Sequence, residues 1–278
     1  MYELPELEVI KALIAEKYAG AIITKIICNT KTITGKKTKM CEELQGATIW
    51  FVERRAGHLV LHLDSGKRLV IYLAHSSTFY GGEAGEALPS SRDFVVQFGD
   101  RYMAFGKLPE QAIQLITVRE VEELLKACAL DPLDKRFTLD YLWGQLQKKR
   151  SSLKTFLLDA SVMSGIGAVY SDEILFAAKL HPVRKANSLN KDEAAQFYEA
   201  IRETLKAAIA DGGMRIQPLY AHDSLTGSYA DKLAVYGRDG QNALDSNDPV
   251  ELISVAKQKC YVCPTQQTLS SRSTSLSS

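Results

Sequence analysis

The chain has 278 residues, 46% hydrophobic and 24% charged, with a formal net charge of +1. That length fits two ordinary domains, and that balance excludes a disordered polymer. No apolar run reaches the ~18 residues of a membrane span, and Glu3 and Glu6 make the start unlike a secretory leader, so the reading is a cytoplasmic protein with no membrane partner.

In chain order, ELPE reads as a rigid acidic turn. LEVIKALIAEKYAG then spaces its apolar residues as an amphipathic helix ending at Gly20. From about residue 21 to 105 the texture is strand-like: AIITKIICNT, GATIWFVERRAG, HLVLHLDSGKRLVIYLAH and DFVVQFGDRYMAF are rich in β-branched and aromatic residues and broken by DSG and FGD turns. Strands in sequence without intervening helices predict an antiparallel sandwich or barrel. From about residue 117 the pattern turns helical, through REVEELLKACA, TLDYLWGQLQKK, SLKTFLLDASV, VYSDEILFAAK and KDEAAQFYEAIRETLKAAIADGG. Residues 213–240 read as a long polar loop, and TQQTLSSRSTSLSS as a disordered tail. Two cationic runs, KTITGKKTK (31–39) and QKKRSSLK (147–154), read in isolation as solvated. Five cysteines, two of them as Cys260-Tyr-Val-Cys263, give no even disulfide framework, and reduced thiols are expected.

The most specific stretch is SLKTFLLDASVMSGIGAVYSDEILFAAKLHP (152–182). It predicts a helix ending near Met163, a tight turn through Ser164-Gly165-Ile166-Gly167, and a second helix from about Ala168. Glycine amides at a helix N-terminus, with Lys148, Lys149, Arg150 and Lys154 upstream, suit a nucleic-acid phosphate; an ordinary helix corner has the same spacing.

Taken together, ELPE, ERRAGHLVLHLDSG, DPLDKRF, LKTFLLD, the SGIG block, ADGG, VYGRDGQ and CYVC resemble the formamidopyrimidine-DNA glycosylase/endonuclease VIII family, in the family's order over residues 1 to about 263. The resemblance implies an α+β protein: an N-terminal helix and antiparallel β-sandwich (1–116), a helical domain with a helix–two-turns–helix element (117–240), and a remnant of a zinc hairpin with a disordered tail (241–278). It implies a monomer that binds double-stranded DNA with a damaged base or abasic site. If active, it excises oxidised bases, with AP-lyase cleavage of the strand. The alternative is an inactive DNA-binding paralogue that keeps the phosphate-binding turn.

In that family the terminal amine, usually of proline after methionine removal, attacks C1′ of the damaged nucleotide, and the adjacent Glu is an acid/base group. The catalytic candidates are therefore Met1, Tyr2, Glu3 and Glu6. The DNA-binding candidates are His58, Lys154, Ser164, Gly165, Gly167 and Tyr170. Tyr2 occupies the nucleophile position, and because methionine removal generally needs a small second residue, Met1 is expected to stay, moving the free amine out by up to about 3.8 Å. Gly57 stands where the family has a lysine, with His58 and His62 nearby as substitutes. His75 replaces a gap-filling Met, FGKLP lacks the basic pair before FG, and Ala168 replaces a phosphate-contacting Asn. No cofactor is required by this reading. Zinc occurs in the family, but Cys260 and Cys263 form an incomplete site, and Arg272 is an unconvincing substitute for the DNA-gripping arginine.

Overall fold

The computed structural model describes residues 2–83, 85–214 and 217–269. Met1 and Arg272 lie outside them. The chain divides into two compact units, Met1–Ala127 with Asp211–Ser228, and Cys128–Ala210 with Tyr229–Ser278. The helical character expected from residue 117 does not mark this division: the first unit runs ten residues further and takes back part of the 213–240 loop.

In the first unit, α1 (Leu4–Tyr18) buries Leu4, Leu7, Ile10, Ile14 and Tyr18, an i, i+3, i+4 stripe. Next come β1 (Lys25–Cys28) and α2 (Lys37–Leu44), a helix that the lysine-rich sequence hid and that interrupts the expected run of strands. Then follow β2 (Ile49–Arg55), β3 (His58–Leu63), β4 (Arg68–Tyr72) and β5 (Thr78–Glu83). The unit's last strands are β6 (Phe94–Phe98), β7 (Arg101–Gly106) and β8 (Ile113–Ile116). They make two antiparallel four-stranded sheets, β1-β6-β7-β5 and β2-β3-β4-β8. Leu59, Leu61 and Ile71 of one sheet share a buried core with Phe79, Phe94 and Phe105 of the other, so the sheets form a sandwich. The alternate residues Val60 and Val70 pack under Val121 and Leu125 of α3 (Val118–Leu125). Burial on both faces explains why HLVLHL does not alternate cleanly.

In the second unit, Thr138 caps α4 (Leu139–Lys148) and Ser152 caps α5 (Leu153–Leu157). The α5 helix stops well short of Met163. Asp159 takes over the chain there: its Oδ1 accepts the Ser161 N–H at 2.9 Å, and its Oδ2 accepts Lys149 Nζ at 2.7 Å. The central helix α6 (Ala168–Ala177) is buried at seven successive positions from Val169 to Leu175, and α7 (Lys191–Ala210) packs beside it. A hairpin of β9 (Glu251–Val255) and β10 (Gln258–Val262) closes the unit, its turn formed by Ala256 and Lys257 at φ 49° and 68°. The described residues include the start of the tail, up to Leu269. Gln267, 1% exposed, donates to the Leu180 carbonyl at 3.0 Å and accepts the Cys263 N–H at 2.8 Å, so a buried amide anchors what its composition marked as disordered.

Candidate nucleic-acid-binding and catalytic site

The ELPE terminus folds as the first turn of α1, with Pro5 in the position where its missing N–H costs nothing. Glu3 and Glu6 form a capping box, and Glu3 N donates to Glu6 Oε2 at 2.8 Å. The second oxygen of Glu6 accepts the Met214 N–H at 2.9 Å, so this carboxylate ties the terminus to the returning segment and acts as an anchor. ADGG makes that approach feasible. Gly212 and Gly213 lie at φ 74° and 70°, and a Cβ on Gly213 would stand 3.0 Å from Glu6 Oε1. Glu3 is only 2% exposed.

Tyr2 is a core residue. Its phenolic oxygen accepts the Phe79 N–H at 3.1 Å, and burial pushes its pKa up to about 12, so it stays neutral. Gln217 Nε2 donates to the carbonyl of the same Phe79 at 3.1 Å. These two side chains satisfy one residue of the edge strand β5, and the Leu219 carbonyl accepts the Gly81 N–H at 2.8 Å further along it. A cleft lined by Tyr2, Glu6, Met214, Gln217, Leu219 and Thr226 lies at this junction. The backbone partners of Tyr2 and Glu6 carry no sequence signature and were not foreseen.

Around Gly57 the structure is crowded. A Cβ there would meet the Tyr72 ring at 3.0 Å, and the His58 ring packs on that same ring with centroids 5.0 Å apart. Burial lowers the His58 pKa, opposed only in part by the Arg55 backbone, and its Nδ1 is buried without a partner. A neutral imidazole cannot supply the lost lysine charge. His62 contacts Glu53 Oε1 at 3.1 Å, while His75 is exposed in the turn before β5. Phe105 of the FG pair is fully buried between Phe79 and Phe94.

In the second unit the glycine corner is present: Gly165 lies at φ 86°, and Gly167 is the N-cap of α6. Ser164, 7% exposed, keeps an unpartnered buried hydroxyl beside it. Two expected DNA contacts are corrected. Lys154 is 0% exposed, and its Nζ donates to Asp172 Oδ1 and Ser171 Oγ at 2.7 Å each and to the Ala168 carbonyl at 3.1 Å. A buried ammonium with three acceptors is a strut inside the fold and does not reach phosphate. Tyr170 is also 0% exposed, its ring packed against Tyr229. Lys148 and Arg150 at the end of α4 are the exposed cations of that run.

Asp172 and Glu173 are the residues that sequence reasoning missed. Glu173 accepts three consecutive amides, Ala234, Val235 and Tyr236, at 2.8–3.0 Å. Asp172 joins Lys154 to the hairpin by accepting Cys260 Sγ at 2.8 Å and the Tyr261 N–H at 3.1 Å. Two adjacent carboxylates inside the apolar run VYSDEILF were the available signal, since buried acids need partners. The same contacts bear on zinc. Burial and the Asp172 carboxylate push the Cys260 thiol up, away from the thiolate that a metal requires, and Cys263 Sγ contacts Thr265 Oγ1. Among the described residues, no group of three or more His, Cys, Asp or Glu side chains could hold an ion, and these donors do not fit structural zinc.

A capped acidic N-terminus on a β-sandwich and a glycine corner in a separate helical unit agree with the two-unit DNA-repair fold that the sequence resemblance implies. The chain matches the formamidopyrimidine-DNA glycosylase N-terminal domain over residues 1–105 and the H2TH domain of the same glycosylases over 128–218. It is 31% identical to a formamidopyrimidine-DNA glycosylase of Marinobacter nauticus, covering 95% of this chain and 98% of that one. It is 30% identical to the enzyme of that name from Pediococcus pentosaceus, covering 97% and 100%. The Lactococcus lactis Fpg bound to abasic-site DNA shares the fold, with a TM-score of 0.84 at 24% identity over 96% of this chain and 99% of that one. The chain belongs to the formamidopyrimidine-DNA glycosylase family.

Proposed function

We propose that this protein binds duplex DNA carrying a damaged or missing base and excises the damaged base in base-excision repair. The observation that carries the reading is the first turn, in which Glu3, the residue after Tyr2, is buried and Glu6 is bonded both to the Glu3 amide and to Met214. Relatives spanning nearly the whole chain are formamidopyrimidine-DNA glycosylases, and solved structures of similar fold hold abasic-site or Fapy-dG DNA.

In the proposed reaction a terminal amine adds to C1′, the bond from C1′ to the base breaks, and Glu3 handles the proton that the leaving base needs. The resulting imine permits elimination of the 3′ phosphate. While Met1 is in place, the nitrogen of Tyr2 is an amide and cannot add. The nucleophile is then the amine of Met1, or that of Tyr2 once Met1 is removed. Ser164, Gly165 and Gly167 hold phosphate, positioning the strand without reading its sequence. The protein acts as a monomer, in the cytoplasm, and needs no metal. No helix among the described residues is long and apolar enough to cross a membrane.

Borohydride trapping on an abasic-site duplex, with intact-mass measurement of the N-terminus, tests this reading. A covalent adduct on the peptide holding residue 1 or 2 is expected. Tight binding with neither adduct nor base release would leave a DNA-binding protein without this chemistry. Equal affinity for abasic and undamaged duplex would overturn the assignment to damaged DNA.

A further inference from the structure

Cys28 ends β1 and Cys41 lies in α2, yet their sulfurs are 3.4 Å apart. Among the five free cysteines, the other three are placed differently. Cys128 is exposed, and Cys260 and Cys263 are fully buried on oxygen partners. Cys28 is 8% exposed, whereas Cys41 is partly open to solvent. Between the two lie Thr32, Ile33 and Met40, which point inward, and Lys31, Lys36, Lys37 and Lys39, which are exposed; this stretch contains no acid. The thiols therefore sit at the two ends of an anchored, cationic segment.

We propose that Cys28 and Cys41 form a redox modification site, in which a hydroperoxide converts the pair to a disulfide. The accessible Cys41 reacts first: its thiolate attacks one peroxide oxygen, the O–O bond breaks, and the departing oxygen takes a proton to leave as water or an alcohol. Cys41 is then a sulfenic acid. Cys28 loses its proton and attacks that sulfur, the S–O bond breaks, and the hydroxide leaves as water with a proton from solvent. Two thiols lose two electrons and the peroxide gains them. The sulfurs close from 3.4 Å to about 2.05 Å. Burial and the neighbouring Cys41 push the Cys28 thiol up to about 12, opposed by Lys37, which disfavours Cys28 as the first nucleophile. The product clasps the lysine segment at its base.

The test uses the full, reduced chain, stoichiometric hydrogen peroxide, alkylation of remaining thiols and peptide mass mapping. The expected result is loss of two of the five free thiols and a linked Cys28–Cys41 peptide, lighter by two hydrogens than its separate parts. In Cys28→Ser, Cys41 is expected to accumulate as a sulfenic acid trapped by dimedone, and in Cys41→Ser, Cys28 is expected to stay a thiol. Wild-type protein that carries Cys41 as sulfinic acid with Cys28 still alkylatable would overturn the proposal. So would a link between Cys260 and Cys263 in its place. The wild-type map decides even where a variant fails to fold.

Discussion

The phenolic oxygen of Tyr2 accepts the backbone N–H of Phe79 at 3.1 Å, across 77 positions of sequence. Residue 2 is thereby committed to the core. Tyr2→Phe should leave that buried N–H without an acceptor and cost about 1–3 kcal/mol in urea unfolding. Tyr2→Pro should release Met1 and raise the yield of borohydride adduct on abasic DNA. It should also cost about 3 kcal/mol or more in stability, because a large buried ring is lost.

Lys154 should behave as a structural residue. Lys154→Ala leaves the buried Asp172 carboxylate unpaired and should destabilise by about 3–5 kcal/mol. The dependence of DNA affinity on salt should stay unchanged in the folded protein. Lys148→Ala or Arg150→Ala should do the reverse. Stability should hold, and the slope of log affinity against log salt should shrink by about 0.9 for each phosphate no longer neutralised.

Ser164→Ala removes a buried hydroxyl that has no partner, so unfolding free energy should stay within about 0.5 kcal/mol of wild type or rise. If the hydroxyl serves phosphate, affinity for abasic duplex should fall by about 1 kcal/mol or more, read by titration.

Asp159 is the acid-sensitive group of the helix corner. Hydrogen bonds from Lys149 and Ser161 hold its pKa down, to about 2 from 3.8. A depressed carboxylate contributes stability that is full above 3.8 and fades as pH falls towards 2. Asp159→Asn should therefore lower the melting temperature slightly at pH 6, and the difference from wild type should vanish across that acid window. Calorimetry at stepped pH measures this.

The α+β order and the glycine corner were legible because they rest on local periodicity and on glycines at a helix start. The α2 helix was hidden by the lysines at and before its start, since its buried apolar residues reduce to Met40 and Leu44. Lys154 misled for a related reason. A lysine beside a cationic run reads as surface until its acceptor is known, and Asp172 lies 18 residues away. Glu3 and Glu6 became candidates through the ELPE resemblance, but the second partner of Glu6 is the Met214 backbone amide, which any residue type could supply. The described start of the tail rests on Gln267, a buried polar residue whose amide bonds to Leu180 and Cys263.

Segment Asp211–Ser228 belongs to the first unit although it follows most of the second in the chain. The Met214 amide that Glu6 needs is made 208 positions after it, which at ordinary translation speeds means about 10–40 s of waiting on the ribosome. The nascent sandwich must survive that interval with its first turn half-secured. Truncation anywhere before Met214 should then yield a first unit that is incomplete at its own amino terminus.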